Sequence, residues 1–152
     1  MTLDRLREFG WQGTNLETDP PVELLTLSAC KTAIGSEDAE LGFAGLAVQA
    51  GVKTALASLW YVSDAATTGL MTKFYGVLAD AEQAPIKAEA LRQAQLAFSR
   101  GQISVEGTEL RGVSGVRGAS LDLPATSVEI LNDRELSHPY YWASFTLVGS
   151  PW

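Results

Sequence analysis

One apolar run, at residues 22–28, constrains the fold of this chain more than any other feature. It is followed by small residues, by the only cysteine of the sequence, Cys30, and by a turn at Gly35. The run is almost continuously apolar, which predicts a strand buried on both faces of a parallel sheet. Ligands bind beyond the carboxyl ends of such strands, which would leave Cys30 available for chemistry. The alternative interpretation is a small buried side chain, since free cysteine is among the most buried residue types.

A second strand follows the first after one helix. The helix is predicted over 39–50, where apolar residues repeat at helical spacing, and Gly51 supplies a C-terminal stop. The strand is predicted over 52–60, and the strand–helix–strand order indicates a right-handed crossover between parallel strands. We therefore predict an α/β fold, with a mainly parallel sheet and flanking helices. Residues 61–64 should then follow the second strand at the same sheet edge as Cys30.

The remaining elements of the chain are predicted from caps, breaks and composition. Ser63 or Asp64 is expected to cap a long helix. The predicted segments are a short helix at 3–9, a polar connection up to 21, helices from 64 to 79 and 86–99, a flexible surface loop at 101–136 and a last strand at about 141–148. The domain division is thus 1–21 for the short helix and connection, and 22–152 for the main body.

Composition excludes several classes of protein. The chain has 152 residues, of which 46% are hydrophobic and 19% are charged, which suits one domain with a real core. The net charge of −7 argues against nucleic acid and anionic membranes as partners. A single cysteine cannot form an internal disulfide, so we expect a reducing, cytoplasmic location. Gln49 and Lys53 interrupt the best candidate for a membrane span, and the charged start does not resemble a signal peptide. We predict no cofactor and no metal site.

Five motifs, in order, resemble those of the CHAT family of caspase-like cysteine peptidases, which are related to separase and the caspases. They are LSACKT at 27–32, ASLWYVSD at 57–64, LMTKFY at 70–75, KAEALRQAQ at 87–95 and HPYYWASF at 138–145. The resemblance runs from about residue 22 to the C-terminus and corresponds to the C-terminal part of the domain only. It implies a caspase-like fold, an incomplete domain, and a cysteine endopeptidase that acts on a protein or peptide.

The same resemblance implies roles for individual residues. Cys30 occupies the position of the catalytic nucleophile. Trp60, Ser63 and Asp64 fall in the segment that lines the pocket for the substrate residue before the scissile bond. Asp64 has a second interpretation, as a helix cap, and the two roles are compatible.

The base that a cysteine nucleophile needs is missing from the expected place. A free thiol has a pKa near ~8.5, so a neighbouring base must activate it. In the CHAT family that base is a histidine upstream of the nucleophile, and residues 1–29 contain none. Lys31 stands where the family usually has an acidic residue, and a lysine is a poor proton acceptor at neutral pH. The only histidine, His138, belongs to the last motif and would approach the active edge only if the last strand is antiparallel. We therefore expect the chain alone to be inactive.

Other functions remain open on the sequence. The chain would be a non-catalytic interaction or regulatory module, a peptidase remnant, if no partner supplies a histidine. An exposed Cys30 would also suffice for a redox-sensing thiol. In each case the apolar strand at 22–28 expects neighbours on both edges. A protein partner or self-association at this N-terminal sheet edge is therefore predicted.

Overall fold

A computed structural model describes residues 21–27, 38–80, 86–106, 109–112, 121–122 and 136–152. The predicted helix at 3–9, Cys30 and Lys31 lie outside the described residues. In chain order the elements are β1 (Leu25–Leu27), α1 (Asp38–Gln49), β2 (Thr54–Ser58), α2 (Asp64–Ala79), α3 (Lys87–Ser99), β3 (Ser104–Glu106), β4 (Glu109–Arg111), β5 (Leu121–Asp122), a 3-10 helix (Pro139–Tyr141) and β6 (Phe145–Gly149). They fall into two compact units divided after Trp60: 145–151 belong with the first unit and Trp152 with the second.

The first unit is built around β2, the middle strand of a sheet in the order β1–β2–β6. β1 pairs with β2 in parallel, and β6 pairs with β2 in antiparallel orientation. Every residue of β2 is buried, because both of its edges are paired and α1 packs against it. The prediction of an α/β fold with parallel strands joined through a helix is confirmed.

Small side chains let α1 lie close to the sheet. Ala44 of α1 and the β2 residues Ala55 and Ala57 are fully buried in one cluster, with Val48 packed on it. Removing these methyl groups from water favours the packed arrangement by about 25 cal/mol for each Å² of apolar surface. The helix ends at Gly51, whose φ of 114° is the left-handed conformation that glycine adopts without strain. The predicted helix and its glycine stop are therefore confirmed.

β1 is shorter and less buried than predicted. Within the described residues 21–27 the strand comprises Leu25–Leu27, and all three residues are half-buried rather than covered on both faces. Before the strand, Val22 O accepts a hydrogen bond from Lys53 N at 2.9 Å, and Lys53 Nζ lies 2.6 Å from the Glu23 carboxylate. The residues just before β1 therefore stay beside the residue just before β2, through one backbone hydrogen bond and one surface ion pair.

The second unit contains the helix pair α2 and α3. Leu70 and Phe74 of α2 are fully buried, as their helical spacing predicts. Gly69 marks the closest approach, since a Cβ there would lie 3.1 Å from Phe98 Cζ and 3.3 Å from Leu110 Cδ2. α2 therefore packs tightly on α3 and on the strands that follow it.

Opposite charges stabilise the first turn of α3. Arg92 donates two hydrogen bonds of 2.6 Å to the Glu89 carboxylate, and Gln93 donates another of 3.0 Å. The Arg92 hydrogen bonds, with a smaller effect of Gln93, lower the pKa of Glu89 to about 2. Glu89 therefore stays ionised at neutral pH near the helix N-terminus, where the macrodipole favours negative charge.

The segment at 101–136 differs from its prediction as a long surface loop. β3 pairs with β4 and β4 with β5, all in antiparallel orientation, and Ile103 and Leu110 are buried. These strands have only two or three residues each. They are too short to show the alternation of apolar and polar residues by which a strand is recognised in a sequence. The flexibility of the remaining residues stays a prediction.

The last strand also begins later than predicted. Residues 139–141 form a 3-10 helix, which starts with Pro139 and is capped by His138. β6 is confirmed only from Phe145 onward. A proline fixes φ and lacks an N–H, which suits the first turn of a helix better than a strand interior.

Ser144, immediately before β6, is fully buried, and its hydroxyl has no hydrogen-bond partner among the residues that the structure describes. Ser144→Ala is expected to raise the free energy of unfolding by about 1 kcal/mol, because it removes a desolvated polar atom that gains nothing in return. Urea unfolding followed by circular dichroism measures this. Thr54→Val is the matched control and should destabilise, because the buried Thr54 hydroxyl donates to Ser150 O at 2.6 Å. A loss of stability in Ser144→Ala would contradict the prediction.

None of the helices in the described part of the chain is long and apolar enough to cross a bilayer.

Candidate functional site

The carboxyl edge of the first unit's sheet is where the two parallel strands end. Leu27 pairs with Ala57, so β1 and β2 finish at the same edge. Trp60 follows β2 by two residues and is half-buried. Cys30 follows β1 by three residues in the sequence and lies outside the described residues. The parallel strands on which its placement was predicted are confirmed, and its catalytic role stays a prediction.

Of the four residues after Trp60, the middle two are buried and the outer two are exposed. Tyr61 is 54% exposed, Val62 is fully buried, Ser63 is 9% exposed and Asp64 is exposed. Val62 and Ser63 therefore hold the backbone while Tyr61 and Asp64 present their side chains to solvent.

Ser63, and not Asp64, caps helix α2. Its backbone is extended, at φ −61° and ψ 150°, and its hydroxyl accepts a hydrogen bond of 3.4 Å from Ala66 N. Its carbonyl accepts a further one of 2.9 Å from Thr67 N. These contacts satisfy donors that a helix start otherwise leaves unpaired. The structure gives Ser63 a positioning task, and its predicted contact with substrate is not tested.

Asp64 is the first residue of α2, so the interpretation of its carboxylate as the cap is wrong. Its side chain makes no hydrogen bond or ion pair with another described residue. The carboxylate is exposed at the start of the helix, where the macrodipole favours negative charge. Chemically, the position suits the binding of a cationic group.

His138 has a structural task of its own. Its Nδ1 accepts a hydrogen bond of 3.2 Å from Tyr140 N at the start of the 3-10 helix. The lone pair of Nδ1 is thereby engaged in the cap of the 3-10 helix. β6 is antiparallel, as the catalytic hypothesis for His138 requires, but a nitrogen that accepts in the cap does not take a proton from a thiol at the same time.

The aromatic residues of the last motif divide between packing and exposure. Tyr141 and Phe145 are buried. Tyr140 is 43% exposed and meets Tyr141 edge-on at a centroid distance of 5.5 Å. Trp142 Nε1 donates to Ser137 O at 2.9 Å, which satisfies its one polar atom.

Two polar residues of the 87–95 motif have tasks that sequence reasoning missed. Lys87 is 93% buried, since only 7% of it is exposed, and its Nζ donates a hydrogen bond to Trp152 O. Gln95 Nε2 donates to Trp142 O at 3.2 Å. Helix α3 thereby holds carbonyls of the chain's last residues within the second unit. In a sequence, a lysine and a glutamine on a helix look like solvated surface residues. Their place in the KAEALRQAQ motif was the one sign that they have a specific role.

No group of three or more histidine, cysteine, aspartate or glutamate side chains suited to a metal occurs within the described ranges.

Comparison with known proteins gives one match. A family model described as the CHAT domain matches residues 1–150. No curated protein and no solved structure matches the chain significantly.

Proposed function

The chain belongs to the CHAT family of caspase-like, peptidase-related domains, because the family model matches nearly its whole length, and from this premise we propose that it is the nucleophile-bearing part of a cysteine endopeptidase. The observation that supports this most is the parallel pairing of β1 and β2. Their carboxyl ends lead, at one edge of the sheet, into the segment with Cys30 and the segment with Trp60.

Cys30 acts as the nucleophile. Its thiolate attacks the carbonyl carbon of the scissile peptide bond, a C–S bond forms, and the amine leaves with a proton supplied by the base. Water then attacks the thioester and releases the carboxylic acid, which regenerates the thiol. The base must take the proton of the thiol first, so it has to lie within hydrogen-bond reach of the sulfur.

We propose that this base is a histidine outside the 152 residues. The only histidine in the sequence is His138, and its ring is used in the cap of the 3-10 helix. By this proposal the chain is inactive alone and gains activity from a partner polypeptide. Its single cysteine suits a cytoplasmic location, where thiols stay reduced.

The substrate residue before the scissile bond is proposed to contact Asp64 and Trp60. The exposed carboxylate of Asp64 favours a basic side chain, since a charge-assisted hydrogen bond to lysine or arginine is stronger than a neutral one. Half-buried Trp60 offers part of its indole as an apolar surface. Ser63 contributes by fixing the start of α2, and so the position of Asp64.

The histidine-bearing partner is proposed to add beside β1. β1 is the outer strand of the described sheet, and its apolar side chains Leu25 and Leu27 are only half-buried. A polypeptide that pairs there would cover this apolar surface and bring a histidine to the sheet that leads to Cys30.

Alone, the chain is expected to show no Cys30-dependent cleavage of mixed peptide libraries, because it lacks a free base. Co-expression with the polypeptide encoded immediately upstream should give a complex by size-exclusion chromatography with light scattering. That complex should cleave peptides, and Cys30→Ala should abolish the cleavage, a loss of at least about a thousandfold for a nucleophile. His138→Asn is the matched control: asparagine keeps an acceptor for the cap, and activity should remain.

Two outcomes would overturn the proposal. Cleavage by the chain alone that is lost in both Cys30→Ala and His138→Asn would make His138 the base. A monomer at micromolar concentration with slow amide exchange along 22–27, whether or not the upstream polypeptide is present, would show that the β1 edge needs no partner.

A non-catalytic interaction module is the second candidate, favoured by the structural use of His138 in its cap. It predicts that the complex forms but that no cleavage depends on Cys30, so the same experiment separates the two functions.

A further inference from the structure

We propose that helix α3 is a two-point clamp on the last strand: Lys87 and Gln95 hold the chain on either side of β6, so the pairing of β6 with β2 depends on α3. The clamp is a conformational coupling within the chain and does not depend on the proposed peptidase function. It rests on two side-chain hydrogen bonds, one to the backbone carbonyl of Trp142 and one to that of Trp152.

The two carbonyls flank β6 symmetrically along the chain. β6 spans Phe145–Gly149, so Trp142 lies three residues before it and Trp152 three residues after it. Gln95 Nε2 donates a hydrogen bond of 3.2 Å to Trp142 O, and Lys87 Nζ donates one to Trp152 O. One helix therefore holds the chain before and after the strand.

The two hydrogen bonds are separate points of attachment. Lys87 and Gln95 are eight residues apart in α3, which corresponds to about 12 Å along the helix axis. Both donors and both acceptors belong to the second unit, so each contact lies within one compact part of the structure. Loss of one contact therefore leaves the other in place.

The C-terminal end of β6 is the more firmly held. Only 7% of Lys87 is exposed, and a buried ammonium that loses an acceptor is strongly destabilised. Ser150, between β6 and Trp152, is also bound, because its N–H donates to Lys53 O at 2.9 Å and its carbonyl accepts from the Thr54 hydroxyl.

The N-terminal end of β6 relies more on α3. Trp142 N donates to Pro139 O at 3.2 Å, and Ala143 N donates to the same oxygen at 2.8 Å. These bonds shape the turn before β6 without attaching it to another element. Gln95 attaches this turn to α3.

β6 can separate from β2 without breaking the β1–β2 pair. It is an outer strand of the described sheet, where its ladder is with β2. Local opening of such an element costs less free energy than global unfolding. A strand with a free end can fray from that end, whereas a strand held at both ends must break its ladder as a whole. The clamp therefore suppresses the opening of β6.

Hydrogen exchange of the β6 amides in the whole chain tests the clamp. Gln95→Met removes the donor at one end, and Lys87→Met removes the donor at the other, while an unbranched side chain is kept. Exchange within 145–149 should become about three- to tenfold faster in each variant, the effect of one lost hydrogen bond. The amides of α1 should keep their wild-type rates.

The position of the effect identifies the clamp. Gln95→Met should act most on the half of β6 that follows Trp142, and Lys87→Met on the half that precedes Trp152. The double variant should accelerate exchange by more than the product of the two single effects, because both ends are then free. Gln93→Met is the matched control, since Gln93 lies in the same helix but donates to Glu89 within it. This control should leave β6 unchanged.

Four results would overturn the inference: wild-type exchange of β6 in Gln95→Met, an equal effect of Gln93→Met, equal acceleration of α1 and β6, or a double variant that equals the product of the singles. Equal acceleration would indicate a loss of overall stability, and a simple product would indicate two independent contacts. If Lys87→Met does not fold, Gln95→Met decides alone: faster exchange confined to the first half of β6 supports the clamp, and any other pattern rejects it.

Discussion

Gly149→Ala is expected to lower the free energy of unfolding of the first unit by at least about 3 kcal/mol. Gly149 has a φ of 105°, which side-chain-bearing residues rarely adopt, and a Cβ there would lie 2.3 Å from Lys53 O. The obstacle is backbone of the neighbouring strand region, so no side chain can rotate away to relieve it.

The surrounding hydrogen bonds make relief by backbone movement costly as well. Ser150 N donates to Lys53 O at 2.9 Å, and the Thr54 hydroxyl donates to Ser150 O. Shifting Gly149 away from Lys53 would stretch both contacts at the end of the β2–β6 pair. The mutation should therefore weaken the pairing of β6 with β2 in addition to straining the backbone at Gly149.

Urea unfolding with circular dichroism measures the effect. Gly42→Ala is the matched control, because Gly42 lies in α1 and a Cβ there would meet nothing within 4 Å. Alanine in a helix interior should stabilise by about 0.5–1 kcal/mol relative to glycine. Equal stability of Gly149→Ala and the wild-type chain would show that the close approach is not real.

Gly112→Ala is expected to open the β3–β4 hairpin of the second unit. Gly112 has a φ of 80°, and a Cβ there would lie 1.9 Å from Gln102 O. This overlap with backbone requires the two chain segments to separate, which should cost about 3 kcal/mol or more. Hydrogen exchange of the amides in 104–111 should then be at least about a hundredfold faster, since ~1.4 kcal/mol corresponds to a factor of ten.

Gly101→Ala is the control that separates strain from overlap. Gly101 also has a positive φ, 64°, but a Cβ there would meet nothing within 4 Å. Only the left-handed conformation is penalised, by roughly 1–2 kcal/mol. Similar exchange rates in the two variants would mean that the conformational strain, and not the contact with Gln102, governs the hairpin.

The elements that could be predicted from the sequence are those with a repeated signal. α1 and α2 combine helical spacing of apolar residues with a glycine stop or a serine cap, and both were found close to the predicted bounds. The segment that contains β2 is mostly apolar, and β2 is the buried middle strand. Short elements were not predicted correctly: β3, β4 and β5 hold too few residues to establish a period, and the last strand begins at Phe145, four residues after its predicted start at 141.

The candidate site was predictable in a different way. Cys30, Trp60 and Asp64 were selected through motif resemblance and their position after strands, both of which are visible in a sequence. The contacts of Lys87 and Gln95 were missed, because a polar residue on a helix carries no sign in the sequence of whether it is buried. The cap made by His138 was not predicted either. Its side chain accepts a hydrogen bond from a backbone N–H two residues later, and such a contact depends on local geometry that the sequence does not show.

The central position of β2 has a consequence for protein synthesis. One of its partners, β1, precedes it in the chain, but the other, β6, ends at Gly149. On the ribosome, β2 therefore emerges long before its second partner exists, and one edge of this strand stays unpaired while α2, α3 and the hairpin are made. Closing so long a loop is slow, and exposed strand edges associate readily during the delay. The nascent protein is thus most vulnerable to aggregation, and most in need of a chaperone, until its last strand leaves the ribosome.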